Sequence, residues 1–249
     1  MTSAPASAAE NPSRKEVWRM FDRIAHRYDL LNRMLSFGRD TAWRKRLVRQ
    51  LPGGEQLRVL DLATGTADVL LSLYKSGHLG PSVGMDMSEG MLEYGRRKVA
   101  ERGLADQLEL KHGDAMDTKE PSGHYDVVTI AFGIRNVLDF DQALRDMYRV
   151  LKPGGRLLVL EFSLPENSLI RAGYLFYFRH ILPRVGGLIS GDSYAYNYLN
   201  KTVETFPYGD AFMNHIQKAG FDKGDIIPLT FGVASIYQAD KPSDSTKEA

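Results

Sequence analysis

No cysteine occurs among the 249 residues, which excludes disulfides, thiolate metal sites and a cysteine nucleophile. The six histidines fall into no HxxxH or related ligand spacing, so no metal site is expected. No apolar run approaches the roughly 20 residues that span a bilayer, and the opening MTSAPASAAENPS is too polar for a secretory signal, so a cytoplasmic location is expected. Charge of one sign is missing too. Lys and Arg number 32 against 31 Asp and Glu, a net of +1, so no overall field recommends nucleic acid as a partner. The local RKRLVR cluster at 44–49 lacks an interleaved aromatic platform and reads as a solvated helix face. Glycine is scarce where a dinucleotide site would need it: ATGTAD at 63–68 keeps only Gly65 of a GxGxxG pattern, and without those glycines a pyrophosphate has no close approach to the backbone.

What is present is enough apolar material, 43% of the chain, to bury the core of one large α/β domain. Val17, Phe21, Ile24 and Tyr28 recur near helical spacing, and Leu30, Leu31, Met34 and Leu35 continue the pattern. Residues 15–51 therefore read as an N-terminal helical cap closed by LPGG, after a disordered tail at 1–14. The chain then alternates: strand Leu57–Leu62, helix Ala67–Lys75, strand Ser82–Asp86, helix Gly90–Glu101, strand Leu108–His112, strand Tyr125–Ala131, helix Asp139–Leu151, a KPGG turn at 152–155, strand Arg156–Glu161. Such alternation with short connections predicts a mostly parallel sheet with helices on both faces and a cleft at the carboxyl ends of the strands. Residues 167–214, rich in aromatics, interrupt the rhythm and read as a helical lid insertion. The segment 225–240 reads as two strands joined at Thr230–Gly232, an antiparallel edge to a sheet of seven strands, before a disordered tail at 241–249.

Three of these strands end in acids: Asp61 in VLDLATGTAD (59–68), Asp86 in VGMDMS and Asp114 in HGDAM. Asp is common in turns, so each one alone means little. In order, at successive strand ends, they describe one nucleoside pocket. A ligand without a pyrophosphate fits the poor first loop, and S-adenosylmethionine is such a ligand. Asp86 is typed to accept both ribose hydroxyls, and Asp61 to hold the methionine ammonium directly or through water, beside the tight turn at Gly65. Met87 would pack on the adenine face, Asp114 would accept from the adenine amino group, and the backbone at Ala115 would complete the edge.

The segments FDRIAHRYDLLNRMLSFGRDTAWR (21–44), VLDLATGTAD (59–68), GMDMSEGML (84–92), GDAMDTKE (113–120) and AFGIRNVLDFDQALRDMYRVLKPGGRLLVLEFSLP (131–165) carry a further reading. On them the chain resembles the ubiquinone/menaquinone C-methyltransferases over nearly its whole length. The resemblance implies a class I, Rossmann-like methyltransferase fold using S-adenosylmethionine. It also implies C-methylation of a prenylated quinol, a demethylmenaquinol before a benzoquinol. Thr66, Asp86, Asp114 and Ala115 match the family's cofactor positions, and Ala131 stands where relatives carry serine.

The chemistry can be reasoned separately. A neutral aromatic carbon is a poor nucleophile, so the enzyme must favour the phenolate, with a base or a fixed cation, and hold the carbon in line with the methyl–sulfonium bond. Arg135, just past the fourth strand, is the leading electrostatic candidate, unless it pairs with an acid of the N-terminal helices. Asn136 would orient the substrate oxygen. His26 and Asp22 are candidate bases, with Tyr28, Asp29 or a water polarised by Arg135 as alternatives. The aromatic insertion would guide the prenyl tail, and its Arg171, Arg179, His180 and Arg184 would meet anionic headgroups at the inner membrane face. Self-association into a homo-oligomer is compatible with the sequence. Two rivals share much of this pattern: an NAD-dependent oxidoreductase, which lacks its pyrophosphate loop here, and a non-catalytic quinone-handling protein.

Overall fold

The structure is a computed structural model and describes residues 17–25, 33, 36, 38–181, 184, 193–222 and 224–243. Among the described residues seven strands form one sheet in the order β3-β2-β1-β4-β5-β7-β6. They are β1 (Val59–Leu62), β2 (Ser82–Asp86), β3 (Leu108–His112), β4 (Tyr125–Ala131), β5 (Leu151–Phe162), β6 (Asp225–Leu229) and β7 (Ala234–Asp240). The first five pair in parallel. The final hairpin supplies the antiparallel edge: β7 runs against β5, and β6 lies outermost against β7. β2, β3 and β4 have the limits expected from the sequence.

Among the described residues the α-helices include α1 (Val17–Ile24) and α2 (Asp40–Val48) before the sheet, then α3 (Asp68–Tyr74), α4 (Glu89–Ala100), α5 (Phe140–Val150), α6 (Ser168–Phe176), α7 (Ser193–Thr205) and α8 (Asp210–Lys218). Their local causes are ordinary. Ser88 caps α4 by accepting from Met91 N at 3.2 Å, and Asp139 caps α5 through Gln142 N at 2.9 Å, so both helices start where the polar side chain replaces a missing backbone acceptor. Each then buries one stripe, Met91, Leu92 and Val99 on α4 and Leu144, Met147 and Val150 on α5, at the spacing of a helix face.

Two apolar layers sandwich the sheet. Val59, Leu158 and Leu160 join Leu47, Leu70 and Phe178 on one side; Leu60, Leu62 and Ile130 join Leu144, Phe212 and Tyr237 on the other. All four residues of β1 are buried, as expected of a central parallel strand covered on both faces.

Three sequence readings need correction. The KPGG turn is absorbed into β5: Tyr125 pairs with Leu151 and Val127 with Arg156, so Lys152–Gly155 bulge out opposite Asp126, with Gly154 at φ +75 taking the left-handed conformation that glycine permits. The insertion ends earlier than 214, because α8 begins at Asp210 and buries Phe212, Met213 and Ile216 against the sheet. The helical reading of 15–51 is broken at Gly38 and Arg39 and stops at Val48, the end of α2; Lys15, Tyr28, Leu30, Leu31, Met34 and Leu35 lie outside the described residues.

Strand-end loops touch closely where the sheet opens. A Cβ on Gly133, just past β4, would lie 2.4 Å from the Cβ of Ala63, just past β1. Neither backbone has a flexible atom to yield, so Gly133→Ala should cost about 1–3 kcal/mol as an overpacking substitution. A lowered urea midpoint with unchanged slope is the expected result; an unchanged midpoint would show that these loops are looser than described.

Candidate functional site

β1 delivers Asp61 to the cleft 1% exposed. Thr64 Oγ1 donates to it at 2.6 Å and Thr129 Oγ1 of β4 at 2.5 Å. The following loop turns sharply through Ala63 (φ 48), Gly65 (φ 55) and Ala67 (φ 65). Two alanines thus hold left-handed conformations that glycine would adopt freely, at a cost of about 1–2 kcal/mol each. The turn aims Gly65 N at Asp86 Oδ2, 2.8 Å away at the end of β2. Asp86 Oδ1 accepts from Ser88 N at 2.8 Å. Asp86 thereby ties the first strand-end loop to the second.

Burial pushes the Asp61 carboxyl up to about 6, against the threonine hydrogen bonds and with a small contribution from the Asp86 charge. Burial also raises Asp86, and the nearby charge of Asp22 adds to it. Among the described residues neither carboxylate has a Lys or Arg partner within ion-pair distance. An enclosed pair of acids without a cation is a site that a cationic ligand completes.

The cavity beside them has a volume of about 310 Å³. Gly65, Asp86, Met87, Asp114, Ala115, Ala131 and Asn136 all line it, so most of the residues expected from the sequence do meet in one place. Asp114 Oδ1 accepts from Met116 N at 2.9 Å, which shapes the turn after β3. A second, smaller cavity of about 30 Å³ is lined by Asp61, Thr66 and Arg44 and shares Ala63, Gly65, Ala131 and Phe132 with the first. The two form one cleft with a wide and a narrow end.

Other expectations land elsewhere. Asp22 Oδ1 accepts from Ser88 Oγ and, at 3.0 Å, from Gly90 N. It latches α1 to the start of α4, and an anion there also suits the helix dipole. Arg135 does not line either cavity. It is 6% exposed, its Nη1 donates to Glu161 Oε1 at 2.7 Å and to Phe132 O, and its Nε has no acceptor among the described residues. Its partner is therefore an acid of β5 and not of the N-terminal helices. Burial raises the Glu161 carboxyl while Arg135 pulls it down. His26 and Asp29 lie outside the described residues. No described cluster of His, Asp and Glu could hold a metal ion.

Several wall residues were not read from the sequence. Val17, Trp18 and Phe21 of α1 close the wide end; their helical spacing reads equally well as core. Arg44 lines the narrow end, paired with Asp40 at 2.6 Å and Asp68 at 3.5 Å; it sat unremarked within a basic cluster. Phe132, at φ 56, forms the wall common to both ends. It packs on Phe162 at 4.6 Å and Trp43 at 5.9 Å, contacts that hold a strained backbone in place.

The chain matches the ubiE/COQ5 methyltransferase family across residues 9–241. It is 47% identical over 223 residues to a demethylmenaquinone methyltransferase of Thermus thermophilus, covering 90% of this chain and 100% of that protein. It is 43% identical over 228 residues to a ubiquinone/menaquinone biosynthesis C-methyltransferase UbiE of Geotalea daltonii, covering 91% and 97%. Among solved structures, a SAM-dependent methyltransferase of Thermotoga maritima superposes with a TM-score of 0.63 at 19% identity, covering 90% of this chain and 99% of that one. A Haemonchus contortus phosphoethanolamine N-methyltransferase 2 in complex with S-adenosylmethionine gives 0.67 at 16% identity, covering 92% and 60%. The fold is that of the class I, Rossmann-like methyltransferases.

The acidic pair sets a pH dependence. An Asp61 carboxyl titrating at about 6 is charged above that pH and neutral below it, so an ammonium-bearing ligand should bind more weakly as the pH falls. Calorimetry with S-adenosylhomocysteine should show affinity dropping roughly tenfold from pH 7.5 to pH 5, where about one carboxyl in ten is ionised. Asp61→Asn should flatten that dependence; a flat wild-type profile would remove Asp61 from ammonium binding.

Proposed function

Because the chain belongs to the ubiE/COQ5 methyltransferase family, we propose that it methylates a ring carbon of a prenylated demethylmenaquinol, using S-adenosylmethionine, to give menaquinol. The observation that carries the cofactor half of this reading is the cleft of Asp61, Gly65, Asp86 and Asp114 with its uncompensated acids. The substrate half rests on the relatives, of which the one 47% identical is named for demethylmenaquinone.

The residues fit the cofactor. Asp86 stands at the end of β2 with a free side toward the cavity, suited to ribose hydroxyls, and Asp114 and Ala115 stand beside Met87 where a base edge and face would lie. Asp61 and Thr66 border the narrow end, where Asp61 offers an anion to an ammonium; Arg44 on the same wall is already paired with Asp40 and Asp68. Bound there, S-adenosylmethionine supplies an electrophilic methyl group on a positively charged sulfur.

The chain's own residues then act on the acceptor ring. Asn136 lines the wide end with its Oδ1 buried and unpartnered among the described residues, and orients a ring hydroxyl. Arg135 is a positioning residue. Its charge is balanced by Glu161, and its bond to the Phe132 carbonyl fixes the wall against which the ring rests. Asp86 and Asp114 are the ionisable side chains on the described wide-end wall and are assigned to the nucleoside; for the quinol's hydroxyl proton the candidates from the sequence are His26, Tyr28, Asp29 and water. The cleft supplies mainly orientation, with the carbon held toward the methyl group and water excluded by Trp18 and Phe21.

The substrate's prenyl tail brings the chain to a membrane surface. No described helix is long and apolar enough to cross a bilayer; the contact we propose is peripheral, through the insertion that bears Arg171, Arg179, His180 and Arg184.

Mass spectrometry of quinones from a host lacking its own enzyme tests the reading: menaquinone should appear on expression of this chain. Restored ubiquinone alone would move the ring preference to the benzoquinol, and neither product would reject quinol methylation. Asn136→Ala should lower kcat about 10- to 100-fold, as loss of one oriented hydrogen-bonding group does, and leave S-adenosylhomocysteine affinity within about twofold. Arg135→Ala should instead lower stability by about 3–5 kcal/mol, because it strands the buried Glu161; a fully stable, fully active variant would contradict the positioning role.

A further inference from the structure

Helix α6 is apolar on two opposite sides. Tyr174 and Phe178, one turn apart, face inward, stack at 5.1 Å and join the core. Leu169 and Phe176, seven residues or two turns apart and hence on one face, point outward at 81% and 61% exposure. A helix at the surface of a monomer normally presents charge there. Beside its first turn lies a second exposed aromatic, Phe231, 79% exposed at the tip between β6 and β7. The proximity is fixed by backbone: a Cβ on Gly232 would lie 3.3 Å from Pro165 Cα, two residues before the Asn167 cap of α6.

The tip is held rigidly. Trp43 Nε1 donates to Thr230 Oγ1 at 2.8 Å, and Ser163 Oγ donates to Gly232 O at 2.7 Å. Thr230 and Phe231 both sit at positive φ, 45 and 59, a conformation disfavoured for β-branched and aromatic residues. The chain thus keeps a strained, anchored turn whose main product is an outward phenyl ring.

Basic side chains lie near parts of this surface: the His180 ring packs on Phe176 at 5.2 Å, Arg184 Nη1 donates to His180 O, and Arg171 Nε donates to Pro165 O at 2.7 Å, with Glu166 the exposed acid beside it. Arg39, just before α2, and Arg46 on it are both exposed, four residues before and three after Trp43, and His180 and Arg184 are exposed beyond Phe176. Behind the surface a packed aromatic cluster reaches the wall of the cleft. Phe178 and Tyr174 share the core with Phe162, whose ring packs on Phe132 at the wall common to both ends of the cleft.

We propose that Leu169, Phe176 and Phe231 form a wedge that enters the headgroup boundary of an anionic bilayer, with Arg39, Arg46 and Arg184 on the phosphates. Exposed apolar side chains with basic ones beside them match such a surface. The wedge deepens the quinol reading, on which the need for a membrane rests, but its binding is measurable separately.

The full chain is sedimented with vesicles of phosphatidylcholine alone or with phosphatidylglycerol, alongside L169S/F176S/F231S and R39Q/R46Q. Methyl transfer to a short-chain demethylmenaquinol analogue is measured without vesicles. Wild type should bind the anionic vesicles more tightly than the neutral ones. The triple variant should lose roughly tenfold or more in partitioning, with soluble turnover within twofold of wild type, and R39Q/R46Q should erase the preference for phosphatidylglycerol. Undiminished binding by the triple variant would overturn the wedge, as would a wild type that binds neither vesicle at low salt. Wild-type self-association that the triple variant abolishes, without vesicle binding, would assign the surface to a second copy and also overturn it. Vesicle binding that the triple variant loses, in a wild type unable to methylate the quinol, would uphold the wedge and sink the quinol reading.

Discussion

Two carboxylates buried at neighbouring strand ends, with no Lys or Arg at ion-pair distance among the described residues, set the terms for the rest of this structure. Asp61 and Asp86 sit on β1 and β2, and enclosure raises both. Holding them there takes hydroxyls from Thr64 and Thr129, amides from Gly65 and Ser88, and a loop that forces Ala63 and Ala67 into left-handed conformations. Such an arrangement is costly for folding alone, because a native state that binds protons more tightly loses stability as the pH rises from the ordinary aspartate range through about 6. The cost is understandable if the site is completed by a ligand carrying positive charge. From the same acids the architecture extends outward: Asp86 orders the two loops, Ser88 passes that order to α4 and Asp22, and Asp22 sets α1 across the wide end of the cleft.

At the far wall the problem is solved differently. Arg135 and Glu161 neutralise one another in a buried pair, and their interaction serves geometry more than field. The carbonyl of Phe132 is drawn toward Arg135, the aromatic wall is fixed, and Asn136 faces the cavity from the next position. One wall therefore carries uncompensated charge, and the other a balanced, shaped surface. That division suits a reaction in which the donor is cationic and the acceptor is mostly apolar.

Much of this was legible in the sequence where local pattern decides structure. The alternating elements, the acids at strand ends and the final hairpin follow from periodicity and turn chemistry, and β2, β3 and β4 fall at their expected limits. What was not legible depends on contacts distant in sequence. Glu161 lies 26 residues from Arg135, Asp22 reaches Ser88 across 66, and nothing local in either segment signals the partner. Conformation hid other features: Ala63, Ala67, Phe132 and Phe231 occupy backbone regions usually marked by glycine. The KPGG bulge misled in the opposite sense, since its residues do turn, but within a strand whose pairing resumes beyond them. Trp18 and Phe21 show the ambiguity of apolar spacing, which marks a buried face without saying whether it buries against protein or ligand.

The central claim is that the cleft carries a methyl group to a ring carbon of a prenylated naphthoquinol. Incubating the purified chain with S-adenosylmethionine bearing a fully deuterated methyl group and a demethylmenaquinol, followed by mass spectrometry and nuclear magnetic resonance of the product, tests it most directly. The account predicts an intact deuterated methyl group on the ring carbon and S-adenosylhomocysteine in equal amount. Label on a ring oxygen, or an unlabelled quinol recovered with the cofactor intact, would contradict it.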